Sequence, residues 1–317
     1  MWRTLHERIS SPAGIMAPTD YQSLIDAPTW AFINRTNACY PADTASRSVA
    51  DQRSLYDAMC RSFHRGYPLG ITARDQPIAG VACRSYPGAR PTVIYMHGGG
   101  FIMGGLHSHD DICAEICVRT GLQVISVDYR LAPEHPHPAA YDDTLAVTRA
   151  VAASGPYLLV GDSAGGTLAA AVAYAMRGKT AARGLVLIYA GLGGNPDHGS
   201  YVTHAAAPML TRDDVLYYAH VLHKSDASPG NDPTASPLHA TDFAGLPHTI
   251  AFSAECDPIA DDGREYCARI IAAGGHATWH LEPGLVHGYL RARHVVSRAA
   301  KSFDKITAAI SNLGATA

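Results

Sequence analysis

The sequence has no long hydrophobic run: no stretch of its 317 residues approaches the roughly 20 consecutive apolar residues that a bilayer-spanning helix needs. The first residues, Met1 to Arg8, also lack the apolar core of a secretion signal, so the expectation is a cytoplasmic protein with no membrane partner. Positive charge is not in excess. Lys and Arg number 25 against 28 Asp and Glu, a formal net charge of −3, which leaves no basic stripe for phosphates and excludes nucleic acid as an expected partner. The seven cysteines, at positions 39, 60, 83, 113, 117, 256 and 267, are an odd number and contain no Cys-x-x-Cys pair. Neither a disulfide framework nor a zinc knuckle is indicated, and these residues read as small buried hydrophobes.

What the chain does contain is a large core, with 47% hydrophobic and 17% charged residues, and a punctuated series of short apolar runs. Leu158-Leu159-Val160 reads as a buried strand. It ends in Gly161-Asp162-Ser163-Ala164-Gly165-Gly166 and is followed at once by an alanine-rich helix former, Thr167 to Met176. A serine between a strand and a helix, flanked two residues away on each side by glycine, has the form of a nucleophile elbow. The glycines answer a steric demand, because a sharp turn there brings neighbouring backbone too close for a Cβ atom. The elbow would lift the Ser163 hydroxyl clear of the sheet and aim the Ala164 amide at the same spot. Alone, the pattern arises by chance too often to decide anything.

The second signal is more specific. Ile78 to Tyr86 and Thr92 to Met96 read as strands, and the second runs into His97-Gly98-Gly99-Gly100-Phe101. Consecutive glycines after a strand can expose backbone amides, which stabilise negative charge developing on a carbonyl oxygen without reorganising. Gly99 and Gly100 are the candidate donors, and Gly98 shapes the turn. A metal reading competes at His107-Ser108-His109-Asp110-Asp111, since His-x-His-x-Asp can supply ligands. No further ligands can be identified, and His109 and Asp110 are expected to open a helix over 110–120, where acidic residues suit the helix dipole.

Further strands are expected at Gln123 to Val127, Gly184 to Tyr189, His248 to Phe252 and Thr278 to Leu281. Helices are expected from Ser48 onward, over 139–153, after Thr211, and over 292–310 with Val296, Ala299, Phe303, Ile306 and Ile310 on one face. Arg130 and Glu134, in a proline-rich turn, are expected to brace a loop. The segment from 191 to about 235 is a long excursion that fits a lid over the strand ends.

Together His97-Gly98-Gly99-Gly100, Tyr129-Arg130-Leu131-Ala132-Pro133-Glu134-His135-Pro136 and Gly161-Asp162-Ser163-Ala164-Gly165-Gly166 resemble the hormone-sensitive-lipase-like family of α/β-hydrolase carboxylesterases. The resemblance spans roughly residues 75 to 290. It implies an α/β-hydrolase fold, a mostly parallel central sheet flanked by helices, and a helical cap. The expected division is a catalytic core of 51–190 and 236–317, with a cap of 1–50 and 191–235. It also implies serine-dependent hydrolysis of small carboxylic esters of short to medium chain through an acyl-enzyme, with no cofactor and no metal. A homo-oligomer is compatible with the sequence.

An acid and a histidine past two later strand ends complete the chain order serine, acid, histidine. His287, followed by Gly288, is the candidate base among seventeen histidines. For the acid, Asp257 matches the family's Asp-Pro-Leu motif, with Ile259 in place of leucine. Glu255 is the runner-up, and Asp261 or Asp262 are expected to cap the next helix. The expected site is therefore Ser163, Asp257 and His287, with Gly99, Gly100 and Ala164 as the oxyanion hole. Two rival readings stay open: an amidase or other acyl hydrolase with the same triad, and a small-molecule-binding protein on this fold.

Overall fold

Apolar runs form the central strands because they can be buried on both faces, and with more polar strands at the edges they assemble into one eight-stranded sheet of order β1-β2-β4-β3-β5-β6-β7-β8. The computed structural model of the protein describes residues 19–179, 182–224 and 232–315. Met1 to Arg8 and parts of the expected cap, 1–18 and 225–231, lie outside the described residues. The strands are β1 (Arg74–Ile78), β2 (Val81–Tyr86), β3 (Ala89–Met96), β4 (Leu122–Val127), β5 (Tyr157–Asp162), β6 (Ala182–Ile188), β7 (Thr249–Cys256) and β8 (Ala277–Val286). β2 pairs antiparallel with both β1 and β4, and every other pairing is parallel.

One expectation changes at the sheet edge. Ile78 to Tyr86 is not a single strand but the turn and second arm of a hairpin, in which Ile78 pairs with Val81. Ala79 and Gly80 both take positive φ, 51° and 85°. That is the pairing of a tight turn whose twist matches the strands it joins.

Helices cover both faces. Those longer than one turn are α1 (Ala27–Asn37), α2 (Val49–Phe63), α3 (Asp110–Thr120), α4 (Ala139–Ala152), α5 (Ala164–Met176), α6 (Arg212–His223), α7 (Ala260–Ala272) and α8 (Ser297–Ala315). Successive strand residues point to opposite faces. Leu158 and Val160 of β5 thus join the cluster containing Ile112, Ile116, Phe303 and Ile306, while Tyr157 and Leu159 join the one containing Leu145, Leu168 and Ile270. A large aliphatic side chain fully buried in this way contributes about 1.5–3 kcal/mol. Ser48 caps α2 by accepting from the Asp51 amide at 3.1 Å. Thr211 and Asp214 form the capping box that opens α6.

The closing helix begins at Ser297, later than expected, and runs to Ala315; the stripe Val296, Ala299, Phe303, Ile306 and Ile310 is buried. Arg130 and Glu134 do brace loops, but with other partners: Arg130 holds Asp143 at 2.8 Å and Glu134 holds Arg53 at 2.7 Å. All seven cysteines are free, and all but Cys39 are buried.

This sheet positions the site by direction alone. Because β3, β5, β7 and β8 run parallel, the segments after them, carrying Gly98 to Gly100, Ser163, Asp257 and His287, emerge at one edge.

Candidate active site

The turn from β5 into α5 has no room for side chains. A Cβ on Gly161 would lie 2.2 Å from the Gly165 carbonyl oxygen, and one on Gly165 would lie 1.9 Å from that of Met96. A Cβ on Gly166 would lie 2.5 Å from the Ala190 Cβ. Three glycines therefore let α5 seat against β3 and β6. Ser163 between them adopts φ 53° and ψ −124°, a strained backbone held by the hydrogen bond its N–H donates to the Ile188 carbonyl at 2.9 Å.

His287 reaches this serine from the end of β8. Its Nε2 lies 2.9 Å from Ser163 Oγ, and its Nδ1 lies 2.7 Å from Asp257 Oδ2. Asp257 is fully buried, and its Oδ1 accepts from the Ile259 amide at 3.1 Å. The runner-up acid faces elsewhere: Glu255 Oε2 accepts from the Gly284 amide at 2.7 Å. The Tyr189 ring packs at 4.9 Å from the imidazole of His287.

The glycine loop lies against the elbow. A Cβ on Gly98 would be 3.1 Å from the Ser163 Cβ. Gly99 and Gly100 take φ of 135° and 61°, and the Gly99 carbonyl turns back to accept from the amides of Ile102 and Met103. A Cβ on Gly100 would meet the Tyr218 ring of α6 at 2.6 Å, so α6 rests on this loop. Ala164 stands at the first position of α5, where helix amides are unpaired within the helix. Beneath the loop His97 is buried and stacked on Tyr129 at 4.3 Å. Burial, followed by the field of His109, lowers its pKa to about 3, so it stays neutral.

Asp261 and Asp262 act differently from the expectation, and His109 does more than the expected opening of a helix. His109 does stand at the start of α3, but its side chain caps nothing there; its Nε2 lies 3.2 Å from Asp162 Oδ2. No group of three or more His, Cys, Asp or Glu is placed to hold a metal ion among the described residues. Asp261 and Asp262 do not cap α7, whose N-cap is Ile259. Instead Asp261 accepts from the Ser200 amide at 2.9 Å, and Asp262 accepts from the Leu192 amide at 2.6 Å and the Tyr201 hydroxyl at 3.2 Å. Both carboxylates anchor the segment after β6. Burial pushes the Asp262 carboxyl up to about 7, against the hydrogen bonds it accepts and with the charge of Asp257 adding.

Asp162, Tyr189 and Tyr218 are not given a role by the sequence. Asp162 carried a signal, its place inside the glycine-serine motif, but no sequence feature says what its carboxylate touches.

Comparison with known proteins agrees with this architecture. The profile of the alpha/beta hydrolase fold family matches residues 93–291. The carboxylesterase NlhH of Mycobacterium tuberculosis is 36% identical over 69% of this chain and 73% of its own length. The acetyl esterase of Salmonella typhi is 31% identical over 82% of this chain and 86% of its own. Among solved structures, an esterase of the bacterial hormone-sensitive lipase family superposes with a TM-score of 0.82 at 26% identity, covering 91% of this chain and 98% of that one.

Proposed function

Since the chain belongs to the hormone-sensitive-lipase-like carboxylesterases of the α/β-hydrolase fold and is a carboxylic ester hydrolase, we propose that Ser163 is its nucleophile, His287 its base and Asp257 the acid that orients the base. The observation that carries this reading is the continuous pair of short contacts, 2.9 Å from serine to imidazole and 2.7 Å from imidazole to carboxylate. A serine hydroxyl is a weak nucleophile until a base takes its proton in the transition state, and imidazole suits that task.

In the proposed reaction Ser163 Oγ bonds to the ester carbonyl carbon while its proton passes to His287 Nε2. The carbonyl oxygen becomes an oxyanion, received by the amides of Gly99, Gly100 and Ala164. As the tetrahedral species collapses, the bond to the alcohol oxygen breaks, and His287 returns its proton to that leaving group. Water then repeats the sequence on the acyl-enzyme: His287 accepts its proton, the hydroxyl adds to the carbonyl carbon, and Ser163 leaves with the proton back on Oγ.

The substrate class in this reading is small esters with short to medium acyl chains. Support comes from the lid, where Tyr201, Leu210 and Ile259 form a small apolar cluster with Val215 and Tyr218. A cap of 1–50 and 191–235 over a core of 51–190 and 236–317 is part of the proposal. Its two cap pieces meet where Thr19 bonds the Thr203 carbonyl and the Tyr21 hydroxyl lies 3.3 Å from His204. A reducing, cytoplasmic location accords with seven free cysteines.

The test is Ser163→Ala. We expect loss of covalent labelling by a fluorophosphonate and a fall in ester hydrolysis of several orders of magnitude. Labelling retained by the variant would remove Ser163 from the mechanism.

A further inference from the structure

Asp162 precedes the proposed nucleophile, is buried, and collects four donors from four parts of the chain. Its Oδ1 accepts from the Tyr95 hydroxyl of β3 at 2.8 Å and from the Gly98 amide at 3.0 Å. Its Oδ2 faces His109 Nε2 at 3.2 Å and the Tyr189 hydroxyl at 3.4 Å. An ionised carboxylate is an acceptor on both oxygens and can serve four donors at once, which no neutral side chain of this size can do. Burial alone would raise its pKa, but the charge and hydrogen bond of His109, the Tyr95 hydroxyl and the nearby Arg291 outweigh burial and hold the carboxyl below the usual range.

Two of these four donors lead to the reacting groups. Gly98 begins the loop whose next two amides are the proposed oxyanion donors, and there is no slack around it: a Cβ there would be 2.5 Å from Asp162 Oδ2 and 3.1 Å from the Ser163 Cβ. Tyr189, held through its hydroxyl, packs its ring on the imidazole of His287. Oxyanion stabilisation depends on donors placed within a few tenths of an ångström of where the charge develops. A group that sets the loop's position relative to the serine therefore acts on the transition state more than on substrate binding.

We propose that Asp162 is a positioning residue for ester hydrolysis: its buried carboxylate locks the Gly98 peptide, and with it the amides of Gly99 and Gly100, in register with Ser163 while holding Tyr189 against His287. This rests on the assignment of Ser163 and the glycine amides made above.

The experiment compares Asp162→Ser, Asp162→Asn and Tyr95→Phe. Asp162→Ser removes the carboxylate and shortens the side chain. Asp162→Asn keeps one acceptor oxygen for Gly98 but loses the charge. Tyr95→Phe removes one donor and leaves the charge in place. For each we would measure kcat and KM on a soluble aryl ester, and the inhibition constant of an aryl trifluoromethyl ketone, which forms an oxyanion on the serine. Asp162→Ser is expected to lose kcat by about 100-fold, the effect of an ångström-scale misplacement. Asp162→Asn should lose less and Tyr95→Phe least, with KM changed by no more than about twofold throughout. The ketone should weaken by the same factor as kcat/KM in every variant.

Unchanged ketone affinity alongside a fall in kcat/KM would overturn the proposal, as would wild-type values in all variants. If Asp162→Ser does not fold, Asp162→Asn and Tyr95→Phe decide by the same proportionality. Failure of the underlying assignment is separate, because Ser163→Ala would then still form the ketone adduct.

Discussion

Ser163 is held at a positive φ that no residue with a side chain adopts without cost, on the order of 1–3 kcal/mol, and the surrounding glycines and the Ile188 carbonyl keep it there. The same over-determination distinguishes the two candidate acids. Asp257 is sealed from solvent and bonded to His287, whereas Glu255, the penultimate residue of β7, serves the Gly284 amide. Asp257→Asn should therefore lower kcat roughly 10⁴-fold, because the amide supports the wrong imidazole tautomer. Glu255→Gln, which keeps an oxygen for Gly284, should stay within about threefold of wild type. Steady-state kinetics on both variants, with circular dichroism to verify folding, would expose the opposite ranking. His109 gives a further residue-level expectation: its Nε2 is engaged by Asp162, so prolonged EDTA treatment should leave activity intact. Loss restored by zinc would contradict it.

At the scale of elements, α7 does more than cover the sheet. Its first turn carries Asp261 and Asp262, which bond the Ser200 and Leu192 amides and so tie the segment after β6 to the one that also bears Asp257. With its carboxyl pushed up to about 7 by burial, the folded chain holds a proton that an unfolded aspartate releases near pH 4. Folding thus takes up a proton between about pH 4 and 7, so this group makes stability decline as pH rises through that window, with the cost fully present above it. Asp262→Asn retains an acceptor for Leu192 and Tyr201 and never ionises. It should gain on wild type by a few kcal/mol at pH 8, at about 1.4 kcal/mol per pKa unit, and by about a third as much at pH 5. Urea unfolding at both pH values measures this, and parallel curves for the two proteins would disprove it.

For the molecule as a whole, the rest point of α6 on the glycine loop bears on substrate size. Tyr218 of α6 sits on Gly100 and packs with Val215, Leu210, Tyr201 and Ile259. Each methylene of an acyl chain gains about 0.8 kcal/mol only while apolar wall remains to cover it. A roof this small is used up within a few carbons. Activity on aryl esters should peak between acetyl and hexanoyl, and Tyr218→Ala should move the peak toward longer chains. Faster hydrolysis of emulsified long-chain triglyceride than of dissolved butyrate esters would refute this. No helix among the described residues is long and apolar enough to cross a membrane.

Local chemistry was legible in the chain itself. The apolar runs, the glycines around Ser163 and after His97, and the caps at Ser48 and Thr211 each answer a demand made by near neighbours, so strands, elbow and helix starts could be read directly. The hairpin at Ala79-Gly80 was missed because nothing in an unbroken β-rich run marks where it folds back except one glycine. Contacts between distant residues were another matter. Ser163 and His287 are 124 positions apart and His287 and Asp257 are 30 apart, and parallel strands alone bring them to one edge. The motif order could nominate those three residues. Only the packed sheet could turn His109 onto Asp162, hand Glu255 to Gly284, and set Asp262 against the Leu192 amide, because each depends on which face of a strand or helix meets which neighbour.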